Sequence, residues 1–336
     1  MPDYIKRITI KDVAKEAGFS AMAVSRVLNN KSGISQETRE RILAIAKQMN
    51  YRPNSIAQSL RQQSTKTIGV VASDSSELVF SSVLRGVQDS ASAAGYDVII
   101  ANTYQISKNE KHALNTMVDR RIDGLLFAAP MRTSKAELEE LKLLGIPTVL
   151  LMRSGGIVGI DSVSADNYIG GYEILNYLLD TREDDIHFLV LPLSRSVSME
   201  RMSGYQRSML EHGRRWNEEY VSYCEPTIAG GYDAMSKQIK SGFIHGSVCC
   251  GCDLIAIGAI KAVQEAGLKI PDDIRISGYD DIELSNYLSV PLTTMRQPKY
   301  DIGYEGVRLL LERFRNPDMC SKQIIMRNEL VIRNST

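Results

Sequence analysis

The order of apolar and polar positions near the start of the chain predicts two short helices separated by a tight turn. Thr9, with Asp12 three residues later, forms a variant of the capping box that is typical of a helix N-terminus. Apolar residues then recur at helical spacing at Ile10, Val13, Ala14 and Ala17. Gly18 ends this helix and Ser20 caps the next one. The second helix has its apolar side at Val24, Val27 and Leu28.

A third helix is predicted after Ser35, with Glu37 in its first turn. Its apolar positions are Ile42, Leu43, Ile45, Ala46 and Met49. The three helices can enclose a small core, so the second helix turns its other side outward at Ala21, Met22, Ser25 and Arg26. In a helix-turn-helix, those positions meet the edges of DNA bases. A helical hairpin at the edge of a larger core is the alternative interpretation.

From residue 67 onward, short apolar segments alternate with amphipathic helices. The first series predicts strands at 68–72, 96–101, 125–129 and 147–151. The second series begins near residue 167 and predicts strands at 186–191, 247–250 and 274–278. A helix near 299–314 and a strand at 323–332 follow. This alternation predicts an α/β fold with two doubly wound parallel sheets and a cleft at the carboxyl ends of their strands.

Charge is distributed unevenly along the 336 residues, although the net charge is zero. Residues 1–63 contain 11 lysines and arginines against 5 acidic residues, whereas the remaining residues contain 29 against 35. A basic head on an acidic body indicates that the head approaches a polyanion. A solvated basic surface without a partner is the alternative.

Composition argues against membrane, secreted and metal-binding proteins. No apolar run is long enough to cross a bilayer, and the first residues lack the features of a signal peptide, so we expect no membrane partner and a cytoplasmic location. Five cysteines fit a reducing compartment. Cys249, Cys250 and Cys252 lack the separated pairs that zinc prefers, and we expect them to pack in a strand. We therefore predict neither a metal nor a cofactor.

An enzyme built on the same paired sheets is the competing class. The four histidines, His112, His187, His212 and His245, have no serine or cysteine motif of a nucleophile beside them. Gly155 and Gly156 lack the strand-to-helix setting of a phosphate-binding loop. We predict that the chain is not an enzyme. A solute-binding protein is a second alternative, but it has no use for residues 9–60.

The order of short motifs resembles the LacI/GalR transcription regulators. The matching segments in the first part of the chain are Ile-Lys-Asp-Val-Ala at 10–14, Val-Ser-Arg-Val-Leu-Asn at 24–29 and Asn-Tyr-Arg-Pro-Asn at 50–54. Later matches are Asp-Leu-Ile-Ala-Ile-Gly-Ala at 253–259, Gly-Tyr-Asp-Asp at 278–281 and Pro-Leu-Thr-Thr at 291–294. So many motifs in one order make a chance likeness a poor explanation.

The resemblance implies a helix-turn-helix headpiece and a periplasmic-binding-protein-like pair of subdomains. It implies boundaries at 1–53 for the headpiece, 54–66 for a hinge helix and linker, and 67–336 for the effector-binding and dimerisation domain. The N-subdomain would comprise about 67–164 and 293–322, and the C-subdomain about 165–292 and 323–336. The last helix and last strand would cross back, one to each half.

The DNA contacts combine side-chain chemistry with this resemblance. Arg26 can form a bidentate pair with guanine, while Ala21 and Met22 offer apolar contact to a thymine methyl group. Lys6, Lys31, Arg52 and Arg61 are candidate phosphate neighbours. The full set of predicted DNA-binding residues is Ala21, Met22, Ser25, Arg26, Asn29, Arg52, Asn54, Ala57 and Leu60.

The resemblance further implies that Leu60, from two paired hinge helices, inserts into the minor groove and bends the duplex. A plain core leucine is the alternative. A single headpiece contacts too little DNA for high affinity, so we predict a homodimer that binds a near-palindromic double-stranded operator.

The resemblance also implies a small-molecule effector in the cleft. Its contacts would come from Ser73, Arg201, Tyr232 and Asp280, and the predicted site also includes Phe80, Met152 and Cys252. An ordinary surface ion pair is the alternative for Arg201 and Asp280.

The chain departs from sugar-binding relatives at three positions, which are here Ala128, Met152 and Cys252. Each lacks the polar group often found there, and an unpaired buried hydroxyl costs about 1–3 kcal/mol. We therefore expect a less hydroxylated or partly apolar effector, or a sugar held in another pose with Arg153 as the substitute contact. Whether the effector releases DNA or recruits it stays open.

Overall fold

The structure is a computed structural model that describes residues 8–51, 64–75, 77–104, 106–128, 135–153, 159–193 and 195–336, without the side chains of 135–138. The chain divides into two compact units, Met1–Thr65 and Lys66–Thr336. In the described part of the chain, no helix is both long and apolar enough to span a membrane.

Three capped helices form the described core of the first unit: α1 at Ile10–Ala17, α2 at Ala21–Leu28 and α3 at Gln36–Gln48. The predicted capping box is confirmed, because the Asp12 amide donates to Thr9 Oγ1 at 3.4 Å and the Thr9 amide donates to Asp12 Oδ2 at 2.8 Å. Gly18 adopts a φ of 75°, which favours glycine, and ends α1. Ser20 caps α2 through the amide of Ala23.

The core of this unit is small and comes from all three helices. Its fully buried members are Val13, Ala14, Ala17, Val24, Val27, Ile42 and Ala46. Leu43, which we predicted in this core, is 44% exposed. It lies one residue beyond Ile42, and the roughly 100° rotation per helical residue turns its side chain away from the face shared by Ile42 and Ala46.

The first sheet of the second unit is entirely parallel, with strand order β11-β5-β4-β3-β1-β2, in which β11 is Gln323–Met326. Its consecutive elements are β1 Thr67–Ala72, α4 Leu78–Ala93, β2 Asp97–Asn102, α5 Ser107–Asp119, β3 Gly124–Ala128, α6 Lys135–Leu143, β4 Thr148–Leu151 and β5 Asp161–Ala165. The nearly continuous apolar burial of β1, β3 and β4 follows from helices that cover both faces of the sheet.

The second sheet has strand order β12-β10-β9-β8-β6-β7, in which β12 is Glu329–Val331. All its pairs are parallel except β12 with β10. Its elements are α7 Asn167–Thr181, β6 Ile186–Val190, α8 Ser196–Glu211, β7 Val221–Tyr223, α9 Ile228–Lys240, β8 Gly246–Cys250, α10 Asp253–Glu265, β9 Ile274–Asp280 and β10 Thr293–Arg296. Short 3-10 helices occupy Glu218–Tyr220 and Glu283–Asn286. The predicted α/β class with two doubly wound sheets is confirmed.

The chain crosses between the two subdomains three times. The first crossing lies at Asp166, between β5 and α7, close to the predicted boundary at 164. α11 at Lys299–Arg315 returns to the first subdomain and packs against α4, where a Cβ on Gly86 would lie 2.0 Å from the Tyr300 carbonyl. β11 at Gln323–Met326 pairs with β5, whereas β12 at Glu329–Val331 pairs with β10.

Two predicted boundaries are wrong by a few residues. The boundary at 293 placed β10 in the N-subdomain, but β10 pairs with β9 of the second sheet, and the crossing follows at 297–298. The boundary at 323 placed the whole last strand in the C-subdomain. That strand is two strands, because the polar pair Arg327 and Asn328 separates the apolar segments at the third crossing.

Candidate functional site

The outward side of α2 carries few polar side chains. Met22 is 74% exposed and Arg26 is also exposed, as predicted for side chains that meet DNA. Ala21 is half-buried and packs against the core, so its predicted outward position is wrong. It is the first residue of α2, where the chain still turns over the core. Met22 and Arg26 are therefore the two most accessible of the predicted base contacts on this helix.

Arg26 is held beside α2 by the loop that follows the helix. Its Nη2 donates to the carbonyl of Ser32 at 2.7 Å. Gly33 adopts a φ of 91°, and a Cβ at this position would lie 2.9 Å from Arg26 Nη2. This bond uses one of the five N–H donors of the guanidinium, so Arg26 can keep it while it pairs with a guanine edge.

Ser25 and Asn29 bind each other. The side-chain amide nitrogen of Asn29, Nδ2, donates to the Ser25 carbonyl at 2.7 Å and lies 3.4 Å from Ser25 Oγ. Arg39 fixes the adjoining loop by donating to Asn30 Oδ1 at 2.8 Å and to the Lys31 carbonyl at 2.7 Å. The loop at the end of α2 is thus tied to α3.

Several predicted DNA contacts cannot be compared with the fold. Arg52, Asn54, Ala57 and Leu60 lie outside the described residues, as do Lys6 and Arg61. The predicted hinge helix therefore stays a prediction. Lys31 is exposed, as expected for a phosphate neighbour.

The second unit has a cavity of about 430 Å³ at the carboxyl ends of strands from both sheets. Six of the seven predicted effector residues line it: Ser73, Phe80, Met152, Arg201, Cys252 and Asp280. Ala128 and Arg153 line it as well. Met152 and Asp280 have φ values of 58° and 113°, so both strand ends adopt uncommon backbone conformations at the cavity.

Tyr232 does not line this cavity. It lies on α9, and its hydroxyl donates to Glu265 Oε2 at 2.6 Å, at the far end of α10. The prediction of Tyr232 as the aromatic wall is therefore wrong. The segment Glu225, Pro226 and Thr227, just before the first turn of α9, does line the cavity, whereas Tyr232 lies further along the helix. Among the described residues that line the cavity, Phe80 is the aromatic one.

A buried ion pair lies at the centre of the C-subdomain wall. Arg201 Nη2 is 3.6 Å from Asp280 Oδ1, and both side chains are buried. Arg201 also donates to Asn167 Oδ1 at 3.0 Å and to the Gly251 carbonyl at 2.5 Å, and its guanidinium stacks 3.6 Å from the centre of the Tyr279 ring. This burial rules out the alternative of a surface pair. Burial raises the pKa of Asp280, and Arg201 and Lys299 oppose that shift.

Arg195 is a cavity residue that sequence reasoning missed. It is 9% exposed, and its Nη2 has no hydrogen-bond partner among the described residues. Glu77, at the start of α4 on the other wall, faces the same cavity. Burial raises the pKa of Glu77, and the charge of Arg195 lowers it. The signal in the sequence was the position of Arg195 just after the β6 strand, where parallel sheets place ligand contacts.

Asp253 joins the first turn of α10 to the segments around Asp280. Its carboxylate accepts hydrogen bonds from the Ile282 amide at 2.8 Å, Ser285 Oγ at 2.7 Å and Thr294 Oγ1 at 2.6 Å. Burial, with the neighbouring Asp280, raises the pKa of Asp253 to about 7. Asp253 therefore holds the segment that follows Asp280 against the second sheet.

The cysteine cluster is part of the core. Cys249 and Cys250 lie in β8 and Cys252 precedes α10, and burial raises the pKa of all three thiols. Within the described ranges no group of three or more histidine, cysteine or acidic side chains is arranged to hold a metal ion.

Two family models match the chain. Residues 9–54 match bacterial regulatory proteins of the lacI family, and residues 175–336 match a periplasmic binding protein-like domain. The HTH-type transcriptional repressor PurR of Vibrio campbellii is 34% identical over 335 residues, which cover 97% of this chain and 98% of that protein. The ribose operon repressor of Haemophilus influenzae is 32% identical over 327 residues, with coverage of 97% and 98%.

Solved structures agree with these matches. The lac repressor dimer bound to operator and the anti-inducer ONPF has a TM-score of 0.91 and 26% identity, and the alignment covers 98% of this chain and 99% of that one. A regulator from Enterococcus faecium with bound ribose has a TM-score of 0.71 and 27% identity, with coverage of 80% and 98%.

Proposed function

The chain belongs to the lacI family of bacterial regulatory proteins, and we propose that it is a transcriptional repressor that binds operator DNA as a homodimer and responds to a small molecule in its cleft. The observation that carries this proposal is the capped helix-turn-helix with Met22 and Arg26 exposed on α2. Because its target is chromosomal DNA, we infer that it acts in the cytoplasm and that regulation, not catalysis, is its function.

DNA recognition rests on few base contacts and on two copies of the headpiece. Arg26 supplies the strongest specific contact, since a bidentate pair with guanine is worth about 1–3 kcal/mol of discrimination. Met22 adds apolar contact, and the basic surface supplies salt-dependent affinity for phosphates. A two-fold dimer doubles these contacts and fixes the spacing of the half-sites. The paired hinge helices, with Leu60 inserted in the minor groove, complete the proposed complex.

Selection of bound sequences from random duplex DNA tests the proposal. The expected result is a near-palindrome with a guanine at the position that Arg26 reads in each half-site. Recovery of sequences without any shared motif, at moderate salt, would overturn the assignment.

The effector is proposed to be a small metabolite with few hydroxyl groups. Phe80, Ala128 and Met152 give part of the cavity an apolar lining, and a sugar hydroxyl that faces this part has no partner. Arg195 Nη2 can donate a hydrogen bond to an acceptor on the ligand, such as a carbonyl or acid group. The ion pair of Arg201 and Asp280 offers a donor and an acceptor to the remaining polar atoms.

Titration calorimetry against panels of monosaccharides, sugar phosphates and nucleosides tests this class. We expect tight binding from a compound with a planar or apolar body and an acceptor group. We also expect Arg195→Leu to weaken the binding of that compound and to leave the binding of unmodified monosaccharides unchanged. Tight binding of an unmodified monosaccharide, with the same affinity in the Arg195→Leu variant, would contradict the proposed class of effector.

A further inference from the structure

Each of the three crossings between the subdomains carries one buried amide side chain. Asn167 follows the first crossing and is 2% exposed, Gln297 lies at the second, and Asn328 lies at the third, both at 5% exposed. Buried amides need hydrogen-bond partners, and the partners of these three lie in one place. All three contact the cluster formed by Arg201, Tyr279 and Asp280.

At the first crossing, Asn167 uses both ends of its amide. Its Oδ1 accepts from Arg201 Nε at 3.0 Å, and its Nδ2 donates to Glu200 Oε2 at 3.1 Å. Nδ2 also lies 3.4 Å from the carbonyl of Ala165, the last residue of β5. Asn167 therefore links the end of the first sheet to the arginine on α8.

At the second crossing, Gln297 contacts the other member of the ion pair. Its Nε2 donates to Asp280 Oδ1 at 2.5 Å. Two residues later, Lys299 Nζ donates to the backbone carbonyls of Asp280 and Asp281, the latter at 3.0 Å. The start of α11, which packs in the first subdomain, is thus bound to the strand end that carries Asp280.

At the third crossing, Asn328 reaches the same cluster through Tyr279. Its Nδ2 donates to the Tyr279 hydroxyl and to the Asp166 carbonyl, both at 2.8 Å. The Tyr279 ring lies under the Arg201 guanidinium. Gly170 permits this approach, since a Cβ there would lie 2.2 Å from the Tyr279 hydroxyl and 2.5 Å from Asn328 Nδ2. The first and third crossings are therefore joined by one side chain.

We propose that Asn167, Gln297 and Asn328 are positioning residues that couple the Arg201 and Asp280 ion pair to the opening and closing of the cleft. Any rotation of one subdomain against the other turns the backbone at all three crossings, so it changes the geometry of all three amide contacts. A ligand that accepts a hydrogen bond from Arg201 or donates one to Asp280 changes the same contacts from the other side. This inference rests on the proposed effector role of the cleft.

The test measures the cleft directly in the full-length protein, without a ligand or DNA. One spin label is placed on Cys320, which is exposed beside α11, and the other on Lys240→Cys, exposed at the end of α9, in a Cys224→Ser background. Pulsed electron paramagnetic resonance gives the distribution of distances between the labels. Gln297→Met and Asn328→Ser each remove one amide contact.

Gln238→Met is the matched control. Gln238 is a buried amide in the second subdomain that binds His187 and Ser222, away from the crossings. We expect each crossing variant to change the ratio of open to closed populations about 2- to 10-fold, the effect of one hydrogen bond, and the control to leave it unchanged.

Identical distributions for the wild type, both crossing variants and the control would overturn the proposal, as would an equal shift from the control. Should Gln297→Met fail to fold, Asn328→Ser gives the same answer. DNA binding by the wild type, measured separately, decides the proposed function, so an unchanged cleft in a DNA-binding protein refutes the amide coupling alone.

Discussion

The two functional surfaces of the chain are built on opposite principles. On α2, the side chains that we propose to meet DNA are exposed and make few internal contacts, as Met22 and Arg26 show. In the cleft, the polar side chains are buried, and Arg201 alone contacts an acid, an amide, a carbonyl and an aromatic ring. Substitutions of the exposed side chains on α2 should therefore cost little folding free energy. Substitutions of the buried polar side chains in the cleft should destabilise the fold.

This difference predicts which substitutions separate function from stability. An exposed contact contributes only when DNA is present, so its loss changes affinity and leaves the folded state intact. Loss of one member of a buried ion pair leaves the other member buried without its partner. Such a substitution therefore changes both affinity and the stability of the folded state.

Arg201→Ala should lower the free energy of unfolding by about 3–5 kcal/mol, because it leaves Asp280 buried without its partner. Chemical denaturation of the second unit checks this. Arg207→Ala is the control, since Arg207 lies on the same helix but forms an exposed pair with Glu211. A loss no larger than that of the control would show that the pair does not hold the cleft wall.

Asp253 should make stability depend on pH. Its pKa is raised from the ordinary value of 3.8 to about 7, so between these values the folded protein keeps a proton that the unfolded chain releases. The free energy of unfolding should therefore fall by roughly 2 kcal/mol between pH 5 and pH 7, relative to Asp253→Asn, and stay level above pH 8. Parallel pH profiles for wild type and variant would contradict this.

Arg26→Ala should relax one base position in each half-site, with a loss of about 1–3 kcal/mol of discrimination per site. Its thermal unfolding should change far less than that of Arg201→Ala, because it loses only the exposed hydrogen bond to Ser32. Arg26→Lys is the matched variant, since it keeps the charge but loses the bidentate geometry. Competition between operators that differ at that base measures the effect. Unchanged discrimination in both variants would remove Arg26 from base recognition.

Ser20→Ala should cost the first unit about 1 kcal/mol of stability by leaving the Ala23 amide without its cap. Circular dichroism of the full chain during unfolding measures this. Ser236→Ala, a change of the same kind in the interior of α9, is the control. An equal effect in both variants would show that the cap does not set the start of α2.

Local features of the sequence predicted the headpiece well. The caps at Thr9 and Ser20 and the glycine that ends α1 act over three or four residues, so their pattern is visible in the chain itself. The strand series was also visible, because buried parallel strands are continuously apolar. Leu43 and Ala21 show the limit of this reading, since each lies at the edge of an apolar face and packing decided its exposure.

The cleft was only partly predictable, because its residues come from distant segments. Arg201 and Asp280 were found through motifs, but Arg195 has no motif around it. The crossing at 327–328 depends on which sheet accepts β11, and the pairing of β11 with β5, more than 100 residues earlier in the chain, leaves no local signal. β10 pairs with the nearby β9, but its short apolar segment does not show which sheet it joins.

Dimeric binding to operator DNA is tested by comparing DNA binding to a full selected site with binding to one half-site. Titration by fluorescence anisotropy, with mass measurement of the complex, gives affinity and stoichiometry at several salt concentrations. We expect two chains on the full site, a much weaker complex on the half-site, and affinity that falls steeply with salt. One chain per duplex, with equal affinity for both duplexes, would contradict it.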